Sequence, residues 1–185
     1  FYIWEDDRVG NIVLQELALK VEQGVKVRVI VDDVGCWKVK TAFFDKMTKA
    51  GIEVAVFMPV RFPKLTSKVN FRNHRKIVVI DGTVGFMGGM NLADRYFYSR
   101  KKQQAWRDSH IRIEGSAVAG LQRAFLADWY VACEELIDDA CYYPTENKHT
   151  GYVGNTDMRS GKAALIQIVT SIPTNVWQDI MQGMI

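Results

Sequence analysis

The chain has 185 residues, 48% of them hydrophobic, with 24 basic and 21 acidic side chains and a formal net charge of +3. That is enough apolar sequence to bury a sizeable core, as one domain or one domain with an appendage, while the small charge gives no case for a nucleic-acid partner. No signal peptide is visible, and no apolar run approaches the ~18 residues that would suggest a membrane span.

The chain opens at Phe1, without Met, inside a β-like run, which reads as a fragment of a longer protein with room upstream for a membrane anchor. Val9, Ile12, Val13, Leu17 and Val21 recur at helical spacing and predict a first helix, with Gly24 placed to stop it. Val25 to Val31 alternates and is β-branched, a strand. Phe43, Phe44 and Met47 mark a second helix ending near Gly51, and Ile52 to Phe57 forms the next strand. This β-α-β-α-β succession implies parallel strands in a layered α/β fold. After Pro59, Pro63 and a basic loop comes a hairpin from His74 to Gly88, then a short helix after Asn91 and a strand over Ser109 to Glu114. A long amphipathic helix is expected from Ala117 to Ile137, with Phe125 and Trp129 as core aromatics at i, i+4. Pro144 to Gly161 is polar and aperiodic and reads as a linker. Beyond it, Leu165 to Ser171 predicts a strand and Asn175 to Met184 a helix. That strand, turn and helix echo Ile3 through Leu17 weakly.

The chemistry concentrates in one passage, Asn73-His74-Arg75-Lys76, followed by Asp81-Gly82, Gly88-Gly89 and Asn91. Residues two apart on a strand share a face, so His74 and Lys76 would set an imidazole beside a fixed positive charge, a pairing suited to attack on a phosphodiester. Asp81 has the opposite parity and sits in a tight-turn dipeptide, where its carboxylate fixes the turn more readily than it touches substrate. Gly88 and Gly89 remove side chains where backbone N–H groups could approach a phosphate, and Asn91 adds a neutral donor. An imidazole nucleophile needs its far nitrogen protonated, and a carboxylate behind it would hold that tautomer. Asp108 is the candidate; an ordinary capping aspartate is the other reading. Asp32-Asp33 and Asp138-Asp139 read as caps of strand or helix ends.

Charge is uneven along the chain. Between Glu53 and Asp81 there is no acid, while Arg61, Lys64, Lys68, Arg72, Arg75 and Lys76 all occur; Arg95 to Lys102 interleaves with Tyr96, Phe97 and Tyr98. Such stretches fit an anionic lipid surface or a solvated loop face. Cys36, Cys133 and Cys141 have no metal-ligand spacing and cannot all pair; they read as reduced structural thiols facing the cytosol.

The pattern H-x-K-x4-D-x6-G-G, running on into Met90-Asn91, resembles the signature of the phospholipase D superfamily. Phe1 to Asp7, Val27 to Gly35, Trp106 to Gly115, Leu121 to Trp129 and Ile166 to Ser171 are similar, in that order, to bacterial cardiolipin synthases. The resemblance implies an α/β phospholipase D-like layered fold with a mixed, largely parallel sheet flanked by helices. It implies two homologous halves with one motif each. Only one motif is present, since neither His110 nor His149 is followed by Lys two residues on. The expected division is then a first half at 1–143, a linker at 144–162 and the start of a second half at 163–185.

The resemblance further implies phosphatidyl transfer between two phosphatidylglycerol molecules through a phosphohistidine. His74, Lys76, Asp81 and Asp108 would be the catalytic residues, and Gly88, Gly89 and Asn91 would bind phosphate. No metal or other cofactor is implied, because Lys and backbone N–H groups supply the positive charge. The implied partners are anionic phospholipid, a membrane surface and the second catalytic half, at the bacterial cell membrane with the catalytic domain toward the cytoplasm. One half does not decide whether His74 is nucleophile or general acid/base. Two competing readings are a single-motif nuclease or phosphodiesterase completed by homodimerisation, and an inactive lipid-binding module that keeps the fold.

Overall fold

A computed structural model describes residues 1–60, 72–98, 106–144 and 166–170. Helix α1 (Arg8–Glu22) starts at Asp7, whose side chain accepts a hydrogen bond from the Gly10 amide. It ends as the sequence predicts. Gly24 takes φ +85° and the Val25 amide reaches back to the Lys20 carbonyl, a left-handed cap open to glycine without strain. Helix α2 (Thr41–Lys49) closes the same way at Gly51, with Ile52 N–H donating to Met47.

Strands β1 (Arg28–Asp32) and β2 (Glu53–Phe57) pair in parallel on either side of α2. Strand β3 (Ile77–Ile80) turns into β4 (Val84–Gly88), and β5 (His110–Glu114) adds to β4, both pairings antiparallel. The mixed α/β fold is as expected, but parallel pairing among the described residues is confined to β1–β2. The run at Phe1 contributes one isolated parallel bridge, Trp4 with Leu92.

Helix α3 (Val118–Cys133) packs against both sheets. Val29 and Val31 face α1 and α2 in a core with Trp4, Leu14, Phe43, Met47 and Ile52. Ile30, on the opposite parity, meets Ala55 and Trp129. Ile113, Val118 and Leu121 bury Ile77, Val79 and Met87 between the antiparallel sheet and the start of α3. Phe125 and Trp129 stack at 6.2 Å, as core residues. Helix α3 stops at Cys133 and not at Ile137. Glu134 adopts φ +61° and Trp129 donates to the Glu135 carboxylate, and two acids there would oppose the negative end of the helix dipole.

One expected element differs. Residues 166–170 of the expected late strand form none, although Ile168 packs against Gly120 of α3. The expected helix over Asn175 to Met184 and most of the linker lie outside the described residues.

Candidate active site

The hairpin begins as a strand only at Ile77, three residues later than expected, because residues 72–76 spend their hydrogen bonds elsewhere. Asn73 N–H donates to Asp32, and Arg75 N–H donates to the Asn73 side chain. Extended alternation is nonetheless kept. Arg75, Ile77 and Val79 point toward α3, while His74 and Lys76 point to the opposite face. There the Lys76 Nζ lies 2.9 Å from His74 Nδ1 and donates to the His74 carbonyl at 2.7 Å. The Tyr2 ring lies 4.4 Å from the His74 ring, centroid to centroid, and 5.4 Å from the Lys76 Nζ. Tyr2 is itself seated on Gly35, where a Cβ would collide with its backbone.

Burial, then the charge of Lys76, lowers the His74 pKa from its ordinary value; Asp32 pulls the other way. Lys76 is 4% exposed, and burial lowers its pKa too, against the attraction of Asp108. An ammonium offers only hydrogens, so with Lys76 charged Nδ1 accepts and the neutral imidazole carries its proton on Nε2. The site therefore holds a neutral, exposed imidazole against a buried cation.

The neighbouring residues singled out by the sequence have partners of their own. The Asp108 carboxylate accepts from Ser109 N–H and makes no hydrogen bond to His74; its field reaches Lys76 and His110 instead. Gly88 and Gly89 are not open amides: Gly88 N–H donates to Lys76 O and Gly89 N–H to Ser109 O. They are glycine because a Cβ at Gly88 would strike the Ser109 and His110 backbone, and one at Gly89 the Asp108 carboxylate. Asn91 is 3% exposed, with Oδ1 accepting from Ile3 N–H and Nδ2 donating to the Tyr96 hydroxyl, so it anchors the N-terminal segment. Asp81 is exposed in the Ile80–Thr83 turn with φ +51°, followed by Gly82 at +65°. It sits about 16 Å along the chain from Lys76 at about 3.3 Å per residue, a position that fits the turn role.

Residues 1–129 match the family model described as "Cardiolipin synthase, PLD-like domain". The chain belongs to the cardiolipin synthase family. It is 39% identical over 183 residues to the cardiolipin synthase of Geobacillus kaustophilus, covering 98% of this chain and 34% of that protein. It is 38% identical to cardiolipin synthase 2 of Bacillus cereus, covering 97% and 33%, and 37% identical to the major cardiolipin synthase of Bacillus subtilis, covering 100% and 36%. The chain thus spans about a third of the length of these curated relatives.

What holds the cardiolipin synthase motif in place escaped the sequence reading. Asp32 is fully buried; it caps its own turn through Val34 and Gly35 N–H, as expected, but also accepts from Asn73 N–H and faces Arg72 at 3.5 Å. Asp128, on α3, accepts from Asn73 Nδ2 at 2.8 Å and from Arg75 at 2.5 Å. A signal for Asp128 existed: Leu121, Ala124 and Phe125 predict a buried stripe on which position 128 falls, and an acid there requires a partner. The same contacts correct the basic-tract reading, since Arg72 and Arg75 turn inward and are not a lipid-facing surface. Arg61, Lys64, Lys68, Arg100, Lys101 and Lys102 lie outside the described residues. All three cysteines are free, and burial pushes the Cys36 thiol up to about 11, which makes it inert. Among the described residues no helix is long and apolar enough to cross a membrane, and no group of three or more His, Cys, Asp or Glu could hold a metal ion.

Proposed function

We propose that this chain carries the first catalytic half of an enzyme that makes cardiolipin by phosphatidyl transfer between two phosphatidylglycerol molecules. The observation that carries the reading is the His74–Lys76 pair, 2.9 Å apart on one face, in a chain that matches the cardiolipin synthase domain. Two imidazoles act, His74 and a counterpart in the second half. One attacks phosphorus, and the bond from phosphorus to the glycerol headgroup oxygen breaks. The other gives that oxygen its proton, and free glycerol leaves. A hydroxyl of the second phosphatidylglycerol then yields its proton to the same base and attacks the phosphohistidine, which restores both rings. Lys76 stabilises charge on the nonbridging oxygens.

To act as the general acid, His74 has to be the imidazolium, protonated on both nitrogens, since a neutral ring that gave up its Nε2 proton would be left as an imidazolate. For His74 to attack through Nε2, its proton has to move to Nδ1, which becomes favourable when Lys76 leaves Nδ1 for the incoming phosphate. Exposed aromatic rings near basic groups support an anionic substrate. A cleft of about 570 Å³ is lined by Glu5, Gly35, Trp37, Lys38 and Arg95; Arg95 pairs with Glu5 at 3.1 Å and lies over the Trp106 ring, and Lys38 gives the lining its net positive charge. Trp37 is 72% and Trp106 63% exposed, and Phe97 and Tyr98 are exposed nearby in sequence. Aromatic rings beside basic groups suit headgroup depth at an anionic membrane, and the reading proposed is the cytoplasmic side of the bacterial cell membrane.

The test is the full-length enzyme on phosphatidylglycerol vesicles, with lipid products and glycerol resolved by mass. Cardiolipin and glycerol should appear in equal amounts and vanish in His74→Ala. Phosphatidic acid as the sole product would make the enzyme a hydrolase and overturn the transferase reading.

A further inference from the structure

We infer that Asp128 is a positioning residue for the His74–Lys76 pair, acting through Asn73 and Arg75. The inference takes the transferase chemistry proposed above as the reaction that needs the position. His74 lies in a stretch outside any strand, and the backbone ladder reaches only as far as Gly88 N–H donating to Lys76 O. One carboxylate, that of Asp128, holds both flanks of His74. One Asp128 oxygen takes Asn73 Nδ2 and the other takes Arg75 Nη1, the residues on either side of His74. Asn73 closes the arrangement by accepting from Arg75 N–H at 3.0 Å, and Asp32 takes the Asn73 N–H from the β1 side. Because the backbone alternates, tying down residues 73 and 75 on the α3 face aims residues 74 and 76 at the opposite face.

Stability alone is a poor reason for this arrangement. Asp128 is 8% exposed on a helix face that is otherwise apolar, and a buried ion pair contributes no more than well-packed apolar residues of similar volume in many proteins. What the carboxylate supplies is geometry, in two directional bonds placed symmetrically about the reacting residue. The charges that shift His74 are Lys76 and Asp32, and Asp128 is not among them. Position and electrostatics are therefore separable at this site, and Asp128 controls the first.

The test uses the full-length enzyme with Asp128→Ala, Asp128→Asn and the triple variant Asn73→Ala/Arg75→Ala/Asp128→Ala, each checked for folding by thermal melting. Asp128→Ala should lower kcat by about 100-fold, the scale of a 1 Å misplacement, with KM little changed and the acid limb of the pH profile unmoved. Asp128→Asn keeps an acceptor oxygen and should recover part of that loss. The triple variant should be no slower than Asp128→Ala, because both arms are already cut. Wild-type kcat in folded Asp128→Ala, or a shifted acid limb, would overturn the inference. So would a triple variant that loses the product of the separate effects. Should Asp128→Ala fail to fold, Asn73→Ala and Arg75→Ala test the clamp from its other end. Each removes a charge-assisted bond and should lower kcat by about tenfold, and unchanged rates in both would refute it. His74 ring-nitrogen shifts in protein labelled at histidine read the clamp without turnover. They should move in Asp128→Ala even if the wild-type enzyme proves to have no transferase activity, so failure of the reaction and failure of the clamp are distinguishable.

Discussion

At the level of single residues, the His74–Lys76 pair sets an exposed imidazole against a buried amine. Burial first, and Lys76 second, lower the His74 pKa. The neutral ring therefore persists below the ordinary histidine value, and the acid limb of kcat/KM that reports it should fall below about pH 6.5. Removing the cation in Lys76→Met should raise the His74 pKa in an NMR titration; an unchanged value would mean that the 2.9 Å contact is not populated in solution. Lys76 itself illustrates a conflict between function and stability. Its folded pKa is lowered, chiefly by burial, so folding costs more with the amine charged than with it neutral. The resulting loss of stability is absent above the ordinary lysine pKa and is complete once the pH is below the folded one. Lys76→Met at pH 7 should consequently melt at a higher temperature while losing activity. A lower melting temperature would show that the two hydrogen bonds of Nζ outweigh its desolvation.

At the level of elements, local pattern was a good guide wherever the chain answered only to its own neighbours. Both glycine-capped helix ends, the strands flanking α2, the Asp81-Gly82 turn and the shared face of His74 and Lys76 follow from periodicity and turn chemistry. Contacts made across the chain were not legible in this way. The loss of strand structure before Ile77 depends on Asp32 and Asp128, which lie 41 and 55 residues from Asn73. Gly88 and Gly89 suggested a phosphate cradle because a glycine pair does not announce which neighbour crowds it. Packing against Asp108, Ser109 and His110 supplies the reason, and it can be tested apart from phosphate binding. Gly89→Ala should destabilise the fold by about 1–3 kcal/mol through overpacking, measured by denaturant unfolding. A stable Gly89→Ala variant whose only defect is a raised KM would restore the cradle.

At the level of the molecule, α3 connects the parts: its Trp129 end closes the parallel sheet, its Val118–Leu121 end closes the antiparallel one, and Asp128 reaches the motif between them. His74 and Lys76 lie on the face opposite α3. Trp37 and Trp106 are exposed whereas Trp4 and Trp129 are buried, which gives a built-in control for membrane docking. Fluorescence from Trp37 and Trp106 should be quenched by brominated anionic vesicles, less at high salt, while Trp4 and Trp129 stay unaffected. Equal behaviour on zwitterionic vesicles at any salt would remove the basic face from lipid recognition. Since this chain spans about a third of its relatives and carries a single His-x-Lys pair, it should not transfer phosphatidyl groups by itself. The central claim, that His74 is one of two imidazoles in a double displacement, is tested most directly by quenching full-length enzyme during turnover of labelled phosphatidylglycerol and locating the bound label. The account predicts one phosphatidyl-histidine per chain, at His74 or at its counterpart in the second half, and none when both are replaced. Steady turnover with no histidine-bound label at any quench time would contradict it.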